Sequence, residues 1–199
     1  MEKYQILIIE DETELLKQWE NIFKQEGYDV DIAENGKQAL ELWEKNIYDL
    51  VIVDLKMPEV DGREVINTIK SNQPLTQIII ISGHGDNDDM IDAINQHVYK
   101  YLAKPADLDE ILQAAIDALE KRDPLLRSLE EMAEEDPDKP LLLIGKEKYS
   151  PRRMYDEVRT MTPLGKKFHE DFMKSLTELK MPKDDLSVDD LLGIKSVVD

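Results

Sequence analysis

The stretch Asp54-Leu55-Lys56-Met57-Pro58-Glu59-Val60-Asp61-Gly62 (DLKMPEVDG) sets a lone carboxylate at the end of an apolar run and follows it with turn-forming residues. The run before it, Leu50 to Val53, is short, β-branched and flanked by polar residues. That is how a strand buried on both faces of a parallel sheet reads. Asp54 then stands at the carboxyl end of the strand, the edge at which open α/β sheets bind ligands. Pro58 and Gly62 explain the turn by themselves. A turn-initiating Asp therefore accounts for the stretch as well as a reactive one does, until other residues are considered.

Three further strand ends decide between the two. The run Ile6 to Ile9 ends in Glu10, Asp11 and Glu12, which delivers more carboxylates to the same sheet edge. Packing Glu10, Asp11 and Asp54 together raises their pKa values unless a cation compensates. Mg²⁺ suits such a sparse acidic pocket, because it takes one or two carboxylates, keeps several waters and bridges to phosphate oxygens. Glu12 and Glu14 read instead as a solvated helix start that complements the helix dipole. The run Ile78 to Ile81 ends in Ser82, and Tyr101 to Ala103 ends in Lys104 and Pro105. A hydroxyl and an ammonium beside a metal-bearing carboxylate are what phosphoryl transfer requires, since its main demands are positioning and neutralising oxygens. Asp54 is the expected nucleophile, as in aspartyl-phosphate chemistry.

With these residues in place, the chain resembles the receiver domain of two-component response regulators over about its first 120 residues, the size of one compact domain. The resemblance is carried by Glu10 and Asp11, by Asp54 with Met57, Pro58, Asp61 and Gly62, by Ser82 in SGHGD, and by Tyr101 with Lys104 and Pro105. It implies a doubly wound five-stranded parallel sheet of flavodoxin-like order 2-1-3-4-5. It also implies that Asp54 accepts a phosphoryl group from a sensor histidine kinase or phosphotransfer protein. Mg²⁺ would be held by Asp11, Asp54 and the backbone carbonyl of Lys56, with Glu10 acting through metal-bound water. Lys104 would pair with the phosphoryl group, and the bond to Pro105 would be cis. Ser82 would turn to a phosphoryl oxygen while Tyr101 rotates inward. That would change the face made by the fifth strand and the helices on either side of it. On this reading Pro58, Gly62 and Pro105 are structural, and the only catalysis is the domain's own phosphorylation and dephosphorylation.

Two positions depart from the family pattern. Glu10 stands where Asp is common, and His97-Val98 replace a small Gly-Ala pair before the fifth strand, although Gly favours the left-handed end of a helix. His84 and His97 lack a partner histidine or cysteine in sequence and are left out of the chemistry.

The 199 residues carry a formal net charge of -19, which argues against non-specific nucleic-acid binding. Zero cysteines exclude disulfides and thiolate metal sites. No apolar leader and no run of about 20 apolar residues is present, so a cytoplasmic protein without a membrane partner is expected.

The expected organisation is a receiver over 1–122, a helical extension and acidic linker over 123–140, and a small, mainly helical module over 141–199. Leu108 to Leu119 has helical spacing that could continue past Pro124 with a kink or break. Glu134 to Pro140 reads as linker. Leu141 to Ile144 suits one strand or a small hairpin. Ser150-Pro151 and Thr162-Pro163 look like capped helix starts, giving helices from Pro151 to Thr160 and Pro163 to Leu179. A last short helix is expected over Val188 to Val198.

Met154, Tyr155, Phe168, Phe172 and Met173 could form an apolar helix face, suited to a partner protein, to a second copy of the chain, or to packing on itself. The preferred output is protein contact or dimerisation. Arg152, Arg153, Arg159, Lys166 and Lys167 keep a DNA-binding transcriptional output as the alternative, but the mixed charges of KKFHEDFMKSLTELK do not make a basic recognition helix. About 60 to 75 residues are too few for a typical cyclase or phosphodiesterase domain. A Mg²⁺-dependent phosphatase of the haloacid dehalogenase type is less favoured, because IIEDET stands where DxDx(T/V) is needed.

Overall fold

The computed structural model describes residues 4–58, 60–83, 98–144 and 146–179. They form two compact units, Met1–Lys121 and Arg122–Asp199. In the first, the apolar runs become strands β1 (Gln5–Ile9), β2 (Asp29–Ala33), β3 (Leu50–Val53), β4 (Gln77–Ser82) and β5 (Lys100–Ala103). All pair in parallel, in the order β2-β1-β3-β4-β5. Helices α1 (Thr13–Gln25), α2 (Gly36–Trp43) and α3 (Gly62–Asn72) connect successive strands, and α4 (Leu108–Glu120) follows β5. This is the expected flavodoxin-like sheet.

The strands are apolar on successive residues because both faces are covered. Ile6, Ile8, Leu50, Ile52, Ile79 and Ile81 pack with Leu16, Trp19 and Phe23 of α1 and Ile111, Ala114 and Ala118 of α4. Residues of opposite parity, including Leu7, Ile9, Val51, Val53, Ile78 and Ile80, meet Ala39 and Trp43 of α2 and Val65, Ile66 and Ile69 of α3. A one-residue slip of any strand would exchange these sets, so the register is fixed by burial. Asn35, Asp61 and Asp107 cap α2, α3 and α4 by accepting backbone N–H bonds.

The helical pattern after β5 is broken rather than continuous. Helix α4 ends at Glu120, and Asp123 starts α5 (Pro124–Glu135) by accepting from the Leu125 and Leu126 N–H groups. Helix α5 belongs to the C-terminal unit, where it packs against α6 (Pro151–Arg159). Between them the run from Leu141 resolves as an antiparallel hairpin of β6 (Leu142–Ile144) and β7 (Glu147–Tyr149). Ser150 caps α6 as expected, accepting from Arg153 N–H. Thr162 Oγ1 accepts from Gly165 N–H at the start of α7 (Pro163–Leu179). Helix α6 stops at Arg159, with Thr160 as its C-cap.

Leu125, Leu126, Leu129, Met154, Tyr155, Val158, Phe172 and Leu176 are buried. Most of the apolar tail residues thus pack inside their own unit. The acidic linker is shorter than expected, because Glu134 and Glu135 complete α5. The helix expected before β5, with His84 and His97, and the one over Val188 to Val198 lie outside the described residues. Among the described residues no helix is long and apolar enough to cross a membrane.

Candidate functional site

Strand register brings the predicted residues to one edge. Ile9 pairs with Val53 and Val53 with Ile80, so β1 and β3 end level and β4 runs on to Ser82 at the same edge. The Asp54 N–H donates to the Ile9 carbonyl (3.0 Å), which sets Asp54 beside Glu10. On the other side, Ser82 pairs with Ala103, and Lys104 N–H donates to the Ser82 carbonyl (2.8 Å). Main-chain bonding alone therefore carries Glu10, Asp54, Ser82 and Lys104 to neighbouring positions, although they span 94 residues of sequence.

At the centre, Lys104 Nζ lies 2.8 and 2.6 Å from the two Glu10 carboxylate oxygens and 2.5 Å from Asp54 Oδ2. Asp54 Oδ1 accepts from Lys56 N–H (3.0 Å). Glu10 is fully buried and Asp54 nearly so, whereas Asp11 is exposed. Burial pushes the Glu10 carboxyl above its ordinary pKa, with the Lys104 hydrogen bond and charge opposing in part. For Lys104, burial favours the neutral amine, but hydrogen bonds to Asp54 and Glu10 outweigh it and hold the ammonium above its ordinary pKa. Lys104 is thus a resident cation between two acids. The sequence places this ammonium beside Asp54, but its contact with Glu10, expected to act through metal-bound water, is visible only in the structure.

One ammonium does not balance this pocket. Oxygens of Glu10, Asp11 and Asp54 come within 4.8 Å of one another. Three carboxylates against one lysine leave surplus negative charge at a hard, all-oxygen donor set, which fits Mg²⁺ rather than a thiophilic metal. The Ser82 hydroxyl supports a second ligand. Its Oγ is buried and has no hydrogen-bond partner among the described residues, an arrangement that costs stability unless an acceptor or donor arrives.

The turn after Asp54 is shaped by close approach. Gly62 lies against the Asp54 backbone, where a Cβ would fall 2.2 Å from the Asp54 carbonyl oxygen. Met57 and Val60 pack on the apolar face below. The Lys104–Pro105 peptide bond is cis, as the resemblance implied. Tyr101 is half-buried and packs with Val98 on the sheet face that carries Val51 and Val53. Gly36, at the start of α2, was missed by sequence reading. It touches Val60 in this loop, and its only local signal is the Asn35-Gly36 helix start.

Comparison with known proteins agrees with this geometry. Response regulator ArlR of Staphylococcus saprophyticus is 40% identical over 119 residues, which are 60% of this chain and 53% of that protein. Transcriptional regulatory protein GlrR of Escherichia coli K12 is 39% identical over 119 residues, 60% of this chain and 27% of that one. The chain thus spans about half the length of ArlR and about a quarter of GlrR. The crystal structure of response regulator TrrA from Thermotoga maritima, in complex with Mg²⁺ and BeF, is similar with a TM-score of 0.53 at 28% identity over 58% of this chain and 99% of that one. The response regulator receiver domain model matches residues 6–116, more than half of the sequence, and the chain belongs to that family.

Proposed function

We propose that this chain is a response regulator in which Asp54 accepts a phosphoryl group from a sensor histidine kinase or phosphotransfer protein. The observation that carries this reading is the state of Asp54: a buried carboxylate fixed by Lys104 and the Lys56 N–H, in a pocket with more acid than base. A carboxylate oxygen of Asp54 forms a bond to phosphorus as the phosphorus–nitrogen bond of a phosphohistidine breaks, its electron pair remaining on the imidazole. Lys104 neutralises phosphoryl oxygens, and Ser82 donates its hydroxyl, which has no partner among the described residues, to one of them. Asp11, Asp54 and the Lys56 carbonyl are the residues that would hold Mg²⁺, with Glu10 acting through water. Mg²⁺, when bound, supplies charge neutralisation for the carboxylates and the transferred group. The Mg²⁺ and BeF in the TrrA structure support this assignment. Tyr101 completes the switch by moving into space that Ser82 vacates.

Acetyl phosphate with Mg²⁺ tests the reading by phosphate-affinity gel. The wild-type chain should shift and Asp54→Ala should not; equal modification of both would refute it.

The proposed division is a receiver over 1–122, an extension over 123–140 and an output module over 141–199. Output through protein contacts is supported by the exposed Leu143 and Ile144 of the hairpin, since apolar side chains suit a protein surface better than a phosphate backbone. Arg153 is also already engaged, by Glu147 and by the Tyr149 ring. DNA binding is the second reading, favoured by the description of GlrR as a transcriptional regulatory protein. A gel shift with genomic fragments, with and without acetyl phosphate, separates the two.

A further inference from the structure

The loop that bears the Lys56 carbonyl is closed by bonds of its own. Val60 N–H donates to the Pro58 carbonyl and Gly62 N–H to the Leu55 carbonyl, each at 3.0 Å. Among the described residues these bonds close turns within the loop, so its position on the domain depends on packing as well. Gly62 seats the Asp54 end. At the other end stands Gly36, the first residue of α2 and fully buried against the loop. A Cβ at Gly36 would lie 2.5 Å from the Val60 carbonyl oxygen, 2.8 Å from Val60 Cβ and 2.9 Å from Val60 Cγ1. The nearest of these is a backbone atom, so no side-chain rotation relieves the clash.

Nothing local explains this glycine. Its φ is outside the left-handed region, Asn35 already caps the helix, and Ala is favoured over Gly in helices by about 1 kcal/mol. The close approach of Val60 is the one feature that calls for a missing side chain. Asn35 contributes by fixing where α2 begins: its side chain accepts from Gln38 N–H at 2.9 Å.

We infer that Gly36 is a positioning residue for the acidic pocket: by admitting the Val60 backbone against the start of α2, it holds the loop so that the Lys56 carbonyl faces the Asp11 and Asp54 carboxylates. The inference rests on the reading of that pocket as a Mg²⁺ site. Gly36 touches no ligand and acts through the loop.

Calorimetric titration of the full chain with Mg²⁺ tests it. Gly36→Ala should weaken Mg²⁺ binding about tenfold, the scale on which supporting contacts around metal ligands act. Lys37→Ala, one residue along and exposed, should bind as wild type. Val60→Ala trims the same contact from the loop side without crowding α2 and should weaken binding by a smaller factor. It keeps the test available if Gly36→Ala does not fold. The metal-free melting temperature, recorded alongside, separates loss of positioning from loss of fold. Wild-type affinity in Val60→Ala, and in Gly36→Ala if it folds, overturns the positioning role while leaving the pocket intact. A wild-type chain that gives no Mg²⁺ isotherm refutes the pocket itself, and the inference with it.

Discussion

Buried charges occur in both units of this protein, and they are treated differently. In the C-terminal unit the described ones sit in pairs. Asp123 Oδ1 caps α5, and its Oδ2 lies 2.8 Å from His169 Nε2. Arg122 reaches Glu130 at 2.6 Å. In the N-terminal unit Glu10 and Asp54 share the ammonium of Lys104, and an oxygen of the exposed Asp11 lies within 4.8 Å of both carboxylates. The C-terminal pairs hold helices in place. An unbalanced pocket costs stability, which a protein keeps only where the surplus charge and open hydrogen-bonding capacity serve binding. The difference separates charges paired with one another from carboxylates that outnumber their counter-charge.

The comparison is most exposed to removal of Lys104. Lys104→Met leaves Glu10 and Asp54 buried without a counter-charge and should destabilise the N-terminal unit by about 3 kcal/mol. Urea denaturation followed by Trp19 and Trp43 fluorescence measures the loss, and Mg²⁺ should restore part of it. No loss would mean that the pocket is not strained by its charge. In the C-terminal unit the largest effect should come from packing. A Cβ at Gly165 would sit 1.9 Å from the Glu157 carbonyl oxygen, so Gly165→Ala must push α7 from α6, at about 2.5 kcal/mol. Hydrogen exchange of α6 and α7 amides reads this out.

Asp123→Ala should cost about 2 kcal/mol by removing a helix cap and stranding His169. The loss should appear in the exchange of α5 and α7, with the amides of β1 and β3 unaffected. The smallest effect is that of pH. The Asp123 hydrogen bond, opposed by burial and assisted by the charges of Asp123 and Glu170, raises the His169 pKa above its ordinary value. A raised folded-state pKa means that the pair's contribution is complete below about pH 6.5, the unfolded histidine value, and is lost as pH rises through the folded one. Proton NMR of the His169 ring should give the raised pKa in the wild type and a value near the ordinary one in Asp123→Asn. Identical titrations would remove the pair from the account of the C-terminal unit.

Local signals were legible in the sequence. Leu50 to Val53 reads as a strand because four successive apolar residues need cover on both faces, and β3 has those bounds. Ser150 and Thr162 announce helix starts because a cap bonds only three residues ahead. Asp123 carries the same kind of signal, an acid before Pro124, yet the helical spacing on either side left a kink and a break both open, and the structure shows the break. The tail's apolar residues gave a face without an occupant. Met154, Tyr155 and Phe172 proved to be core, which periodicity cannot distinguish from a docking surface.

By itself the sequence determined the order of strands and helices, the residues that end each strand, and the chemistry available at one edge of the sheet, because these depend on short-range periodicity and residue type. Only the tertiary structure decided that Lys104 joins Glu10 to Asp54, that the Ser82 hydroxyl has no partner among the described residues, and that Gly36 lies under Val60. Each depends on distances between segments remote in the chain, fixed by strand register and close packing rather than by any local preference.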